Sequence, residues 1–319
     1  MTLRWAVVAA FCAAALPAGA QSFPAKPVRL IVPFPAGGGS DVIGRILAQK
    51  LTDRLGQQVV VDNRAGAGGS IGTEAAVRAA PDGYTMVLAS TSEIAINPGL
   101  YKLAYDTVKD LAPIALVAST PMVVIVHPSM PLKGVKDLVA LARAKPGEIN
   151  VASAGSGTIT HLSGELFRSL TGVNWTHVPY KGAPQALTDL ASGQVQVMFS
   201  SLPAAMAFIR ANRVRPIAVS SRTRAASLPD VPTVLETGVA NYDVEYWYGV
   251  FVPAATPKDA VTRLSEEIAQ TLKQPDVVTS LAHQGAAPGT RSPTQFADFV
   301  KSEVAQWGQV VKASGAKAN

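Results

Sequence analysis

The 319-residue chain is 48% hydrophobic and 16% charged, which is ample for a packed core in one large domain or two smaller ones. Its formal charge of +6 comes without any Lys/Arg run interleaved with aromatics, so nucleic acid is not expected as a partner. The single cysteine, Cys12, excludes a disulfide scaffold and a cysteine metal site.

Residues 1–20 read as a secretory signal peptide. Arg4 is followed by the apolar run Trp5–Leu16, and Ala18-Gly19-Ala20 offers a small-x-small cleavage site after Ala20. The run is too short for a permanent membrane span, and no later stretch is long enough. Phe11 before Cys12 is wrong for a lipoprotein site. A mature chain without thiols fits the periplasm, and losing Arg4 and no acid lowers the charge from +6 to +5.

The mature chain opens with a short apolar strand, Val28–Val32, stopped by Pro33 and Pro35. Phe34, Pro35, Ala36, Gly37 and Gly38 form a glycine turn, Ser40 and Asp41 are candidate N-caps, and a helix is expected to run to Leu55. A strand that ends in such a turn and opens a helix gathers unpaired N–H groups at a positive dipole end, where small anions bind. A plain structural turn uses glycine in the same way. The strand Val59–Val61 leads to a second glycine-rich turn, Ala65–Gly72, then a helix to about Ala79 and a strand Tyr84–Ala89. That strand ends in Ser90, Thr91 and Ser92, whose hydroxyls can face a ligand or cap a helix. This alternation predicts a mostly parallel α/β sheet with its ligand crevice outside the carboxyl ends of the strands.

Leu111–Val117 and Met122–Val126 read as two strands split by Ser119-Thr120-Pro121. A helix over Val135–Arg143 and a strand over Asn150–Ala152 follow. Then Ser153, Ala154, Gly155, Ser156, Gly157 and Thr158 open a helix carrying His161. The layout repeats that of the first loop, which pairs two candidate anion loops. Tyr180 and Lys181, before the helix Pro184–Leu190, supply a donor and a cation either to the cleft or to the surface. The strand Gln194–Phe199 ends in Ser200 and Ser201. Tyr246–Val252 is a long returning strand whose aromatics reach the cleft or the core, and helices are expected over Lys258–Leu272, Pro275–Gln284 and Pro293–Val311.

No catalytic constellation is evident. Gly68–Gly72 matches G-x-S-x-G, but its serine does not directly follow a buried strand as a nucleophile elbow requires. No phosphate-loop lysine or HExxH motif occurs, and the four histidines sit singly, so neither metal nor cofactor is expected.

The series Pro33–Asp41, Val61–Gly72, Pro81–Thr85, Pro179–Ala183 and Tyr248–Ala254 closely resembles tripartite tricarboxylate transporter substrate-binding proteins of the Bug (TctC-like) type, over essentially the whole mature chain. The resemblance implies a two-domain α/β periplasmic binding protein, a type II-like Venus flytrap with the ligand cleft between its domains and no catalytic activity. It implies a small carboxylate clasped by Phe34–Gly38 and Ala154–Thr158. Many relatives resemble Met-Phe-Asp where this chain has Met198-Phe199-Ser200. Losing that aspartate removes a counter-charge for an amino-acid ammonium and tilts the expectation toward a non-amino carboxylate. The implied domains are residues 22–122 with 250–319, and 123–249. A monomer is expected, serving membrane permease subunits or a sensor kinase, with an enzyme on the same scaffold as the remaining rival.

Overall fold

The computed structural model describes residues 23–314; the expected signal peptide and its Cys12 lie outside the described residues. The elements run β1 (Val28–Val32), α1 (Gly39–Leu55), β2 (Val59–Asn63), α2 (Ser70–Val77), β3 (Thr85–Ser90), α3 (Asn97–Leu100) and β4 (Leu111–Val126). They continue with α4 (Val135–Ala144), β5 (Asn150–Ser153), α5 (Ile159–Thr171), β6 (Thr176–Pro179), α6 (Ala183–Ala191), β7 (Val197–Ser201), α7 (Leu202–Arg210) and β8 (Arg215–Val219). The return comprises β9 (Glu245–Pro253), α8 (Lys258–Thr271), α9 (Pro275–His283), β10 (Ala287–Pro288) and α10 (Pro293–Ser314).

The strands lie in the order β2-β1-β3-β9-β4-β7-β5-β6, with β8 and β10 also paired to β4. β1, β2 and β3 are parallel, as are β5, β6 and β7. β4 joins the two halves: Leu111–Pro121 runs antiparallel to β9, and Met122–Val126 runs antiparallel to β7 and β8. Where two strands were expected there is one of 16 residues. Pro121 breaks nothing because it sits at the handover. It is the last residue opposite β9, and Met122 then donates its N–H to Ser220 Oγ at 2.8 Å. β9 pairs with β3 and β4 along its length and stays within the first half, so Tyr246–Val252 does not cross between halves.

In the first half α1 buries Ile43, Leu47, Leu51 and Leu55, a four-residue stripe facing the sheet. Gly44 allows that approach, since a Cβ there would stand 3.1 Å from Val32 Cγ2. Gly56 ends the helix in the left-handed region at φ 65°. Phe296 of α10 meets Trp247 of β9 edge-on and Phe251 at a tilt, and Phe167, Trp175, Phe199 and Tyr242 form the aromatic core of the second half. The result is two α/β lobes whose strand ends and helix starts face one another. Among the described residues no helix is long and apolar enough to cross a membrane.

Candidate functional site between the lobes

Four strand-to-helix turns meet where the lobes touch. β1 leads into α1, β5 into α5, β6 into α6, and β7 directly into α7. Their N-cap residues are Gly38, Thr158, Gly182 and Ser201, and none caps its helix with a side-chain hydrogen bond. Each start therefore leaves N–H groups without an intrahelical acceptor at the positive end of the helix dipole. Together they surround a cavity of about 30 Å³, enough for a water or two as the lobes now stand. The first lobe contributes Phe34, Pro35, Gly38, Gly39, Ser40, Ser92 and Tyr246; the second contributes Ala154, Thr158, Ile159, Thr160, Ala183 and Ser201.

The lobes are joined directly around this point. Ile159 N–H donates to Ser92 Oγ at 3.1 Å, and Tyr101 OH donates to the Ser156 carbonyl at 2.8 Å. A Cβ on Gly39 would lie 2.5 Å from Ser201 Oγ and 2.6 Å from Tyr248 OH, so the contact demands glycine. The Tyr248 hydroxyl is buried and makes no hydrogen bond.

Helix α1 starts earlier than expected. Gly38 is its N-cap, with Ser40 and Asp41 inside the first turn. The Asp41 carboxylate instead accepts from Gly37 N–H at 2.9 Å, Arg45 Nε at 2.9 Å and Asn63 Nδ2 at 3.0 Å. Burial opposes its ionisation, but the bonds from Arg45, Gly37 and Asn63 outweigh burial and hold the carboxyl below its usual range. The first loop is thus braced by its own acid, and Gly39 and Ser40, the first residues of α1, line the cavity.

Of the residues singled out in the sequence, Phe34, Pro35, Gly38, Ser92, Ala154, Thr158 and Ser201 meet at the cavity. The others lie apart from its wall. Ala36 and Gly37 are exposed at the rim, and Asp41 faces away into its brace. Thr91 Oγ1 accepts from Trp247 N–H at 3.2 Å, and Ser90 lies beneath Tyr246 at 2.9 Å. Ser153 Oγ holds His177 Nε2 at 2.7 Å and accepts from Gly155 N–H at 3.2 Å. Gly157 N–H donates to His161 Nδ1 at 3.1 Å, with His161 stacked on His177 at 3.9 Å between centroids. Burial pushes both imidazoles down to about 4, assisted by Arg168 for His161 and by His161 for His177. This neutral pair supports the second loop from behind. Tyr180 OH donates to Asp189 at 2.7 Å, Lys181 is exposed, and the buried Ser200 hydroxyl donates to the Ser201 carbonyl at 3.2 Å.

Ile159, Thr160 and Ala183 are not among the residues that the sequence marks, whereas Gly39 lies at the crevice end of the first strand, Ser40 reads as a cap and Tyr246 as either cleft or core. The helix starts themselves were the available signal, because the first residues of each helix line the cavity. A larger groove of about 650 Å³ lies behind the handover in β4, where both arginines are already paired, Arg222 with Asp243 at 2.7 Å and Arg224 with Glu236 at 3.1 Å. Among the described residues no cluster of His, Cys, Asp and Glu could hold a metal ion.

A tripartite tricarboxylate transporter family receptor (TctC) profile matches residues 43–316. The protein BugT of Bordetella pertussis is 38% identical over 322 residues, covering 99% of each chain. The solved structure of Rhodopseudomonas palustris Rpa4515 with adipate is 36% identical with a TM-score of 0.90, over 93% of this chain and 100% of that one. MatC from the same organism, with bound malate, is 32% identical with a TM-score of 0.86, over 91% of this chain and 100% of that one. The chain belongs to the tripartite tricarboxylate transporter receptor family, the solute-binding proteins of the Bug type.

Proposed function

We infer that this protein is a periplasmic receptor that closes two lobes around a small carboxylate. The observation that carries the reading is the convergence of four helix starts, none capped by its own N-cap side chain, on one cavity whose wall holds hydroxyls and no cationic side chain. Backbone N–H groups and dipoles hold an anion there without an arginine fork. Relatives solved with adipate and with malate support a carboxylate of that kind. The lobes divide at Pro121 and again just before Glu245, so residues 23–121 with 245–314 move against 122–244. Contacts made only on closure, such as Ile159 to Ser92, supply the free energy for it. The protein acts as a monomer that hands its ligand to membrane permease subunits of the tripartite type and performs no chemistry on it.

A thermal-shift series of the mature protein against mono-, di- and tricarboxylates and amino acids tests this. A ligand of the folded state raises the melting temperature with concentration. The expected hits are plain carboxylates, recovered unchanged after incubation. Amino acids alone as hits, or conversion of the acid, contradict the reading. Pull-down from membranes with liganded protein is expected to bring permease subunits; a sensor kinase in their place contradicts the transport role.

A further inference from the structure

Among the described residues Glu93 is the one carboxyl group that is wholly buried, and it pairs with no cation there. Glu93 lies in a π-turn, Ser92–Ile96, between β3 and α3, and is wholly buried. Such turns frequently mark functional positions. A Cβ on Gly69 would stand 2.5 Å from Glu93 Cγ, so the backbone of the second glycine-rich turn closes over it. Glu93 Oε2 is hydrogen-bonded to the Ser90 hydroxyl, and Oε1 has no partner. Ser90 Oγ is 2.9 Å from the Tyr246 hydroxyl, and Tyr246 is part of the cavity wall, with the Ser40 and Ser92 hydroxyls beside its own. A chain of hydrogen-bonding groups therefore runs from a sealed carboxyl to the ligand cavity.

Each hydroxyl in this chain has one proton to give, so an ionised Glu93 fixes the direction of every bond, and a proton on its Oε2 allows the reverse direction. With Glu93 ionised, Ser90 donates to the carboxylate and Tyr246 donates to Ser90. Tyr246 then shows the cavity only lone pairs, with a buried negative charge behind them. With Glu93 protonated, the acid O–H donates to Ser90, Ser90 donates to Tyr246, and the Tyr246 proton is free for an anion. An unpaired buried carboxylate close to a bound carboxylate is also costly in its own right.

We propose that Glu93 takes up one proton together with the carboxylate ligand and, through Ser90, turns Tyr246 into a donor for it. The proton comes from solvent and stays on Glu93 until release; no covalent bond of the ligand changes. The proposal rests on the carboxylate reading of the cavity. The surroundings favour the protonated acid. Tyr246 and Tyr248 of β9 and Tyr105 before β4 are the titratable groups facing it, and burial raises all three. Glu303 of α10 is engaged by the Trp247 and Trp307 indoles, and Glu74 of α2 is paired with Arg78. No Lys, Arg or His among the described residues pairs with Glu93, and burial pushes its carboxyl up to about 7 against the pull of the Ser90 bond.

The test has two arms. Infrared difference spectra between wild type and Glu93→Gln at pH 6 are expected to show the carbonyl band of a protonated acid in the wild type alone. Calorimetry with malate and adipate from pH 5 to pH 9 is expected to show wild-type affinity falling about tenfold per pH unit above the Glu93 titration, as one linked proton requires. Proton uptake should register as a dependence on buffer ionisation enthalpy. Glu93→Gln, whose amide donates to Ser90 as the acid does, is expected to bind with a flat pH response. Tyr246→Phe is expected to lose about tenfold in affinity at pH 6, the scale of one hydrogen bond to a charged group. Absence of the acid band, or an equal pH slope in wild type and Glu93→Gln, overturns the proposal. If neither acid binds at any pH, the carboxylate reading has failed and the infrared arm alone decides the state of Glu93.

Discussion

The Asp41 carboxylate accepts the Gly37 N–H at 2.9 Å, turning the first glycine loop back onto the helix it introduces. Asp41 also holds Arg45 on the next turn and Asn63 at the end of β2, and Asn63 donates onward to the Phe34 carbonyl at 3.0 Å. The loop is rigid before any ligand arrives, which limits the ordering cost of binding.

Asp41→Ala leaves Gly37 N–H and one of the two Asn63 amide N–H groups without an acceptor, the other still on the Phe34 carbonyl, and is expected to cost about 1–3 kcal/mol of stability, with a matching fall in melting temperature. Asp41→Asn retains one acceptor oxygen and should lose less. Equal stability of Asp41→Ala and wild type would mean that water replaces the carboxylate completely.

Gly39→Ala places a methyl group 2.5 Å from Ser201 Oγ and 2.6 Å from Tyr248 OH, across the line where the lobes meet. Folding of each lobe should survive, while closure should not. The expected outcome is a melting temperature near that of wild type without ligand and a loss of ligand-induced compaction in small-angle scattering. Compaction equal to wild type would show that the contact yields.

Two stacked histidines and one glutamate pull stability in opposite directions with pH. His161 and His177 sit near 4 when folded and near 6.5 when unfolded, so between these values the unfolded chain binds more protons. Their contribution is complete above about pH 6.5 and is lost as pH falls toward 4. Glu93 is raised from 4.5 to about 7, so its contribution is complete at low pH and is lost as pH rises to 7. Two histidines outweigh one glutamate below pH 6.5, and only Glu93 acts just above it. Stability should therefore peak near pH 6.5 in urea titrations at stepped pH, and Glu93→Gln should remove the decline above the peak. A decline that persists in that variant would belong to other groups.

Much of this architecture is written locally. Val28–Val32 followed by Pro33, Pro35 and three glycines announces a strand, a stiff turn and a helix, and Asn150–Thr158 repeats it. What the sequence hides is what a side chain meets across the fold. Pro121 reads as a breaker because nothing local says that β4 changes partners there. Tyr180 and Lys181 look like ligand groups beside a glycine, yet Asp189, across the turn on α6, takes the tyrosine hydroxyl. Asp41 reads as a cap, since its bond to Asn63 exists only once β2 lies beside β1. Glu93 belongs to no motif, although a lone acid before Ile94-Ala95-Ile96 has nowhere polar to go along its own turn.

A crystal structure with a carboxylate from the thermal-shift series bound decides whether helix starts hold the anion. Carboxylate oxygens are expected about 2.9 Å from backbone N–H groups at the starts of α1 and α5, with the Tyr246 hydroxyl as a further donor. A carboxylate held instead by a lysine or arginine side chain, or seated in the groove behind β4, would contradict it.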